Sequence, residues 1–546
     1  MNTRSANHPP YLGENNLAKE KYQKPEKLLQ NPDVIVIGSG IGGLGVASIF
    51  AQRKRWKVLV LEANSVPGGC LHNHELGGFE WNSGIDSIGD MDASKGRGLY
   101  RPTIDYLTKG MLEWAKMPDV HEVCFFGDDE YKWYSSPRKN MAWIKERFGI
   151  NAKAYYDLEE RIEDFATVWG VTKVIPDWVP LPLHKGFYKA FGGAWRKYMF
   201  RATMDVFLKE LKFPEKLASA FCYMYGNHGR TPDVAPFAFH AVNLIHYRYG
   251  AYYPVGGSGQ IVECMVPIIE DPGGQVAVSS AVKRIIVEAN TAVGVELESG
   301  EIIRSKLVIS DAGAYNTFME MLPRDVAERH GYPTLFDDIG PSPAHCSLFL
   351  GYDEEIELPK QIYWEMPGYD ISEADRRYKE EGDIENSMGA YILCPSARDP
   401  VYSERYPGKS TVICLAEAPY SWIEKCRENP DFKKKFEADI TAKLVSIVHK
   451  RIPQLRDKTP SFQLAGVPIG CNPRAWEACS LGLEPSGDRF VKHTHWTKPK
   501  TKVKNLYLTG QDAFSMGFCG SMMASRLCYS AITGNWLFSL VKKPRR

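Results

Sequence analysis

The glycine pattern between Asp33 and Glu62 constrains this chain of 546 residues more than any other stretch. Val34-Ile35-Val36-Ile37 is a β-branched apolar run, as expected of a parallel strand buried on both faces. Gly38, Gly40 and Gly43 follow as G-x-G-x-x-G. The first glycine allows a tight turn, the second lets a pyrophosphate approach the backbone, and the third lets helix pack on strand. The next helix opens with amide N–H groups that lack intrahelical acceptors and suit a diphosphate. Val58-Leu59-Val60-Leu61 reads as a second strand, and Glu62 at its end is placed to bind a ribose diol. Strand, glycine turn, helix, strand and closing acid predict a dinucleotide site; the alternative is a tight turn without a ligand. The stretch by itself admits NAD or FAD, although Glu62 disfavours a 2′-phosphate.

The length predicts two intimate domains. With 67 basic against 66 acidic residues, net charge +1, no bulk field recruits nucleic acid. The 13 Trp, 28 Tyr and 24 Phe suit a large hydrophobic substrate, and equally a large core. The 12 cysteines show no C-x-x-C and no zinc spacing, so they read as reduced thiols. Neither a signal peptide nor a transmembrane helix is expected. The chain is read as cytoplasmic or peripheral on the cytosolic face of a membrane.

Along the chain, residues 1–32 read as a polar arm and 33–90 as the first part of the dinucleotide domain. This part includes Pro67-Gly68-Gly69-Cys70, whose double glycine implies a second backbone segment close to a ligand. Residues 91–250 show mainly helical periodicity and are expected to form an inserted substrate domain. Within it, 178–211 sets Trp178, Phe187, Tyr188, Phe191, Trp195, Tyr198, Phe200 and Phe207 among lysines and arginines. This is either a hairpin packed on its own domain or a peripheral membrane contact. The dinucleotide domain resumes over 251–340, a second substrate part covers 341–463, and 464–546 closes the first domain through VKNLYLTGQD and a long helix from Gly517.

GSGIGGL, VLVLEAN, PGGCLHN, YGNHGRTPDVAPFAFHAVNLIHYRYGAYYPVGGSGQI, VISDAG and KVKNLYLTGQDAFSMGFCGS, in that order, resemble the FAD-dependent phytoene desaturase, carotenoid isomerase and retinol saturase family. The middle and final stretches are most similar to its retinol saturase branch. The resemblance implies an α/β fold of the glutathione-reductase type, in its amine-oxidase-like variant, with an inserted α+β substrate domain. It implies that Gly38, Gly40 and Gly43 hold the FAD pyrophosphate, Glu62 the adenosine ribose, and Gly68 and Gly69 the pyrophosphate and ribityl chain. It further assigns Val282 to adenine, and Gly510 and Asp512 to the ribityl side. In one departure, SGIDSIG carries Asp86 where retinol saturases usually have a His. In another, this chain shows no membrane-targeting segment at its N-terminus.

The implied chemistry is hydride transfer between flavin and a polyene, with a proton delivered to the neighbouring carbon. Tyr253 and Asp86 are the candidate proton donors; each could instead serve structure, Tyr253 by packing and Asp86 as a turn residue. His228, His240 and His246 are weaker candidates, Cys70 could approach the flavin, and His493 with His495 lacks a third metal ligand. Three readings follow: reduction of a retinoid or carotenoid, redox-neutral isomerisation of a carotenoid or polyunsaturated fatty acid, and a non-catalytic flavin-binding membrane-surface partner. With no second nucleotide fingerprint, a reductase would draw electrons from visiting NAD(P)H or a separate donor.

Overall fold

The computed structural model describes residues 21–82, 84–92, 100–173, 193–466 and 474–535. Five strands form one parallel sheet: β1 (Val34–Ile37), β2 (Val58–Leu61), β3 (Gln275–Ala277), β4 (Val308–Ser310) and β5 (Leu506–Leu508), in the order β5-β4-β1-β2-β3. β1 lies at the centre, with Ile35 in register with Leu59 on one side and Val308 on the other. Both faces are covered, as the uninterrupted apolar run predicts. Val34 and Val36 join one core, and Ile35 and Ile37 join another across the sheet.

Helix α1 (Ile41–Lys54) is buried from Ile41 through Ala51, so it is apolar all round, the mark of a helix enclosed on every side. The other helices that matter here are α2 (Lys153–Thr172), α3 (Phe237–His246), α4 (Gly259–Glu270), α5 (Pro430–Arg451) and α6 (Gly517–Thr533). α6 crosses α1 closely: a Cβ at Gly45 would stand 2.8 Å from Ser525 Oγ. α6 ends at Gly534, whose φ of 70° is the usual left-handed stop.

A second sheet has seven strands, ordered Phe462–Gly466, Ala344–Tyr352, Ser410–Ala418, Ala390–Leu393, Ile362–Met366, Val120–Phe126 and Asp129–Tyr134. One neighbouring pair is parallel, Ile362–Met366 with Val120–Phe126. α5 lays Phe436, Ile440, Leu444, Ile447 and Val448 onto the core of this sheet, a helical stripe at the expected spacing.

The described residues of 91–250 are mainly helical, and they also contribute the strands Val120–Phe126 and Asp129–Tyr134. Val120–Phe126 pairs with Ile362–Met366, more than two hundred residues on, so no local pattern announces that pairing, whereas Asp129–Tyr134 joins Val120–Phe126 in an antiparallel hairpin. In the basic aromatic segment, Trp195, Tyr198 and Phe207 are core residues and Trp195 stacks on Trp169, as the packed-hairpin alternative has it for those positions, whereas Phe200 is exposed. Trp178, Phe187, Tyr188 and Phe191 lie outside the described residues. Among the described residues no helix is long and apolar enough to cross a membrane.

Candidate active site

A cavity of about 1910 Å³ opens at the carboxyl ends of the parallel strands and reaches the second sheet. A single ligand pocket commonly spans about 300–1,000 Å³, so this one has room for a cofactor and a substrate together.

The turn after β1 forms its floor. Gly38 has φ 93° and donates its N–H to Leu61 O at 2.9 Å, tying the turn to β2. Gly43 sits so close that a Cβ would meet Gly38 O at 2.2 Å; this is the helix-on-strand contact its spacing implied. The start of α1 has no cap from its N-cap side chain and no acid in its first turn, but Asp311 from the loop after β4 accepts from Gly43 N–H at 2.8 Å, so an anion bound here would share the helix start with that carboxyl. Ser39 connects the parts. Its N–H donates to Glu62 Oε2 at 3.0 Å, its hydroxyl donates to the same oxygen at 2.5 Å, and it accepts from Gly68 N–H at 2.9 Å. Pro67-Gly68-Gly69 is thus stitched onto the first glycine turn, and a Cβ at Gly69 would stand 3.4 Å from Gly40 Cα.

Gly38, Gly40, Glu62, Gly68, Gly69, Val282 and Asp512 all line the cavity. Gly43 and Gly510 lie behind its wall and shape the two turns. Asp512 accepts from Ala314 N–H at 2.8 Å and Leu483 N–H at 2.9 Å, joining the loops after β4 and β5. These residues fit a dinucleotide: two glycine turns, an uncapped helix start and an acid at the end of β2.

The two candidate proton donors part company. Asp86 lines the cavity. Burial raises its carboxyl above the ordinary range, against the opposing pull of the Arg398 guanidinium and a hydrogen bond with Tyr391. Tyr253 does not line it. The residue pairs with Ala115 on a short antiparallel ladder, packs with Met117 and Ala251, and lies under the Arg398 guanidinium, 5.7 Å from the ring centre. Its hydroxyl is shifted upward by burial. The contacts of Tyr253 are those of a packed residue.

Several polar groups near Asp86 escaped sequence reasoning. Glu122, pushed up to about 7 by burial, accepts from Trp364 Nε1 at 3.1 Å and hydrogen-bonds Tyr223. Arg248 lines the cavity and pairs with buried Glu159 at 2.5 Å. No motif marks them, because their partners come from different segments. His246 also lines the cavity; burial pulls it down to about 4, and its Nε2 accepts from Gly89 N–H at 2.9 Å. His228 and His240 hydrogen-bond each other at 2.9 Å, buried in the core. Cys70 lines the cavity. His493 pairs with Asp338 at 2.7 Å, and among the described residues no cluster is fit to hold a metal.

Residues 36–95 match the model of an NAD(P)-binding Rossmann-like domain. The chain is 32% identical to all-trans-retinol 13,14-reductase of Danio rerio, over 94% of this chain and 88% of that protein. It is 27% identical to an inactive all-trans-retinol 13,14-reductase of the same organism, over 93% and 89%. Against the chloroplastic prolycopene isomerase of Daucus carota the identity is 28%, over 60% and 53%. In fold it is similar to cyclohexylamine oxidase from Brevibacterium oxydans, with a TM-score of 0.56 at 14% identity, covering 92% of this chain and 98% of that one.

Proposed function

This chain belongs to the all-trans-retinol 13,14-reductase family of FAD-dependent oxidoreductases, and from that premise we propose that it saturates one carbon–carbon double bond of a hydrophobic conjugated polyene, a retinoid or a carotenoid. The observation that carries this reading is the shared cavity: the glycine turns, the acid Asp86 and an apolar lining of Trp169, Phe239, Phe349 and Phe514 face one space.

A bound reduced flavin supplies the hydride. The protein's part is to hold the polyene, exclude water and deliver a proton. The aromatic lining binds a long apolar chain without fixing its register. Asp86 holds the proton taken up by the second carbon, and its raised carboxyl keeps that proton at a higher pH than an exposed aspartate would. The first turn of α6, Gly517–Gly520, lines the same cavity without a side-chain cap, so its amides favour negative charge on a reduced ring. Electrons arrive from NAD(P)H or a separate donor.

The family resemblance to prolycopene isomerase supports a second reading, return of the hydride to another carbon with no net reduction. Purified protein, checked for its flavin spectrum, is incubated anaerobically with retinol, a carotenoid and a free polyunsaturated fatty acid, with and without reductant. A gain of two hydrogens that depends on reductant is expected with retinol or the carotenoid. Product of unchanged mass would instead favour isomerisation.

A further inference from the structure

Three glycines of the cofactor cradle make way for a carboxyl group of the chain itself. Asp311 follows β4 and extends between the glycine turn and the Thr509–Gly510 turn. Its Oδ2 accepts from Gly43 N–H at 2.8 Å, and the Gly40 amide also hydrogen-bonds it. A Cβ at Gly40 would stand 2.7 Å from Oδ2; at Gly42 and Gly510 it would stand 2.4 Å and 2.2 Å from Oδ1. The side chain is therefore wedged where α1, β4 and the β5 turn converge, and it also lines the cavity. The titratable groups that reach it are Glu62 at the end of β2, Asp512 after β5 and Cys528 on α6. None of these is basic, and the first turn of α1 brings only glycine, serine and apolar residues.

We propose that Asp311 is a positioning residue of the cofactor site that carries a proton when the dinucleotide is bound, so that cofactor affinity falls as pH rises. The inference rests on the reading of the cavity as an FAD site. A diphosphate at the start of α1 adds negative charge beside Glu62, Asp512 and Asp311; the buried Arg489 guanidinium faces Asp512, while the charged groups that act on Asp311 itself are acids. Glu62 and Asp512 keep their backbone donors, whereas a neutral Asp311 can still accept from Gly43 N–H through Oδ2. A carboxyl in such company holds its proton.

Burial pushes Asp311 up to about 8 without any diphosphate present, and Glu62 and Asp512 act in the same direction. A bound diphosphate raises it further. Below about pH 8 the carboxyl is protonated in both forms and affinity is flat. Above that, binding takes up one proton, and Kd weakens about tenfold per pH unit until the higher value is reached.

The test titrates flavin-free full-length protein with FAD from about pH 6 to about pH 10, following flavin fluorescence. The unmodified protein should show a flat region and then the tenfold-per-unit slope. Asp311→Asn keeps an acceptor for Gly43 and cannot ionise, so its profile should stay flat. Parallel profiles would overturn the proposal while leaving the cofactor reading intact, whereas no FAD binding at any pH would overturn both. If the variant does not fold, proton uptake by the unmodified protein decides the matter: calorimetry near pH 9 in buffers of different ionisation enthalpy should read close to one proton per FAD, and none would refute it.

Discussion

Asp86 and Tyr253 were equally plausible on paper, since each follows or borders a glycine turn. What separates them is direction. Asp86 faces the cavity, while the Tyr253 ring is committed to Met117, Ala251 and Arg398. Asp86→Asn should therefore lower kcat for polyene reduction by about 10²–10⁴-fold, with flavin binding intact. Because the folded environment raises the Asp86 carboxyl, the acid form persists at higher pH and activity should fall on the alkaline limb as that proton is lost. Pre-steady-state pH profiles check this, and a limb that survives in Asp86→Asn would assign it elsewhere. Tyr253→Phe should leave turnover within about twofold of the parent, because it loses a hydroxyl outside the cavity. The Glu159–Arg248 pair is a different kind of residue-level feature: both side chains are nearly inaccessible, and Tyr155 donates to the second carboxylate oxygen at 2.7 Å. Removing one partner leaves the other charged and buried, so Arg248→Met should cost about 3–5 kcal/mol of stability, read by denaturant melts.

At the level of elements, the unit β1-turn-α1-β2 was legible because its determinants are local: an unbroken β-branched apolar run, glycines at fixed spacing, and an acid at the end of the next strand. The determinants of α5 are local too, since its stripe from Phe436 to Val448 repeats at helical spacing. Val120–Phe126 and Asp129–Tyr134 were read through the helical periodicity of their neighbours; they pair with each other as a hairpin, and Val120–Phe126 is tied into its sheet by Ile362–Met366, far along the chain. The stretch from Thr203 winds in a way that no plain sequence mark shows: Leu211 N–H bonds Val206 O at 2.9 Å, a π-helical step. The cofactor turns were placed correctly in the chain, although Ser39, which joins Glu62 to Gly68, was invisible until the turns were seen together. Gly43→Val is the sharpest probe of this element. With no room for a Cβ beside Gly38 O, the substitution should cost about 1–3 kcal/mol or more and release flavin, measured as the loss of protein-bound yellow absorbance.

For the whole molecule, the two sheets are interlocked by sequence order. The chain leaves the parallel sheet after β2 and contributes Val120–Tyr134 to the seven-stranded sheet. It returns for β3 and β4, leaves again through residues 344–466, and comes back for β5. The cavity lies between the sheets and draws walls from both, so its ligands should stabilise the molecule as one unit. Saturating the protein with FAD at about a hundred times Kd should add about 2.7 kcal/mol, and a single melting transition should move upward as a whole. A split transition with only one component shifted would contradict that unity. The placement of β5 and α6 also sets a timetable for biosynthesis. The parallel sheet lacks its edge strand until residue 508 has been made, and the Gly517–Gly520 wall of the cavity comes later still. At about 5–20 residues per second, a nascent chain therefore spends most of its synthesis with an incomplete flavin cradle. Cofactor capture waits for α6, which can fold back over α1 only once Gly517–Thr533 has been made.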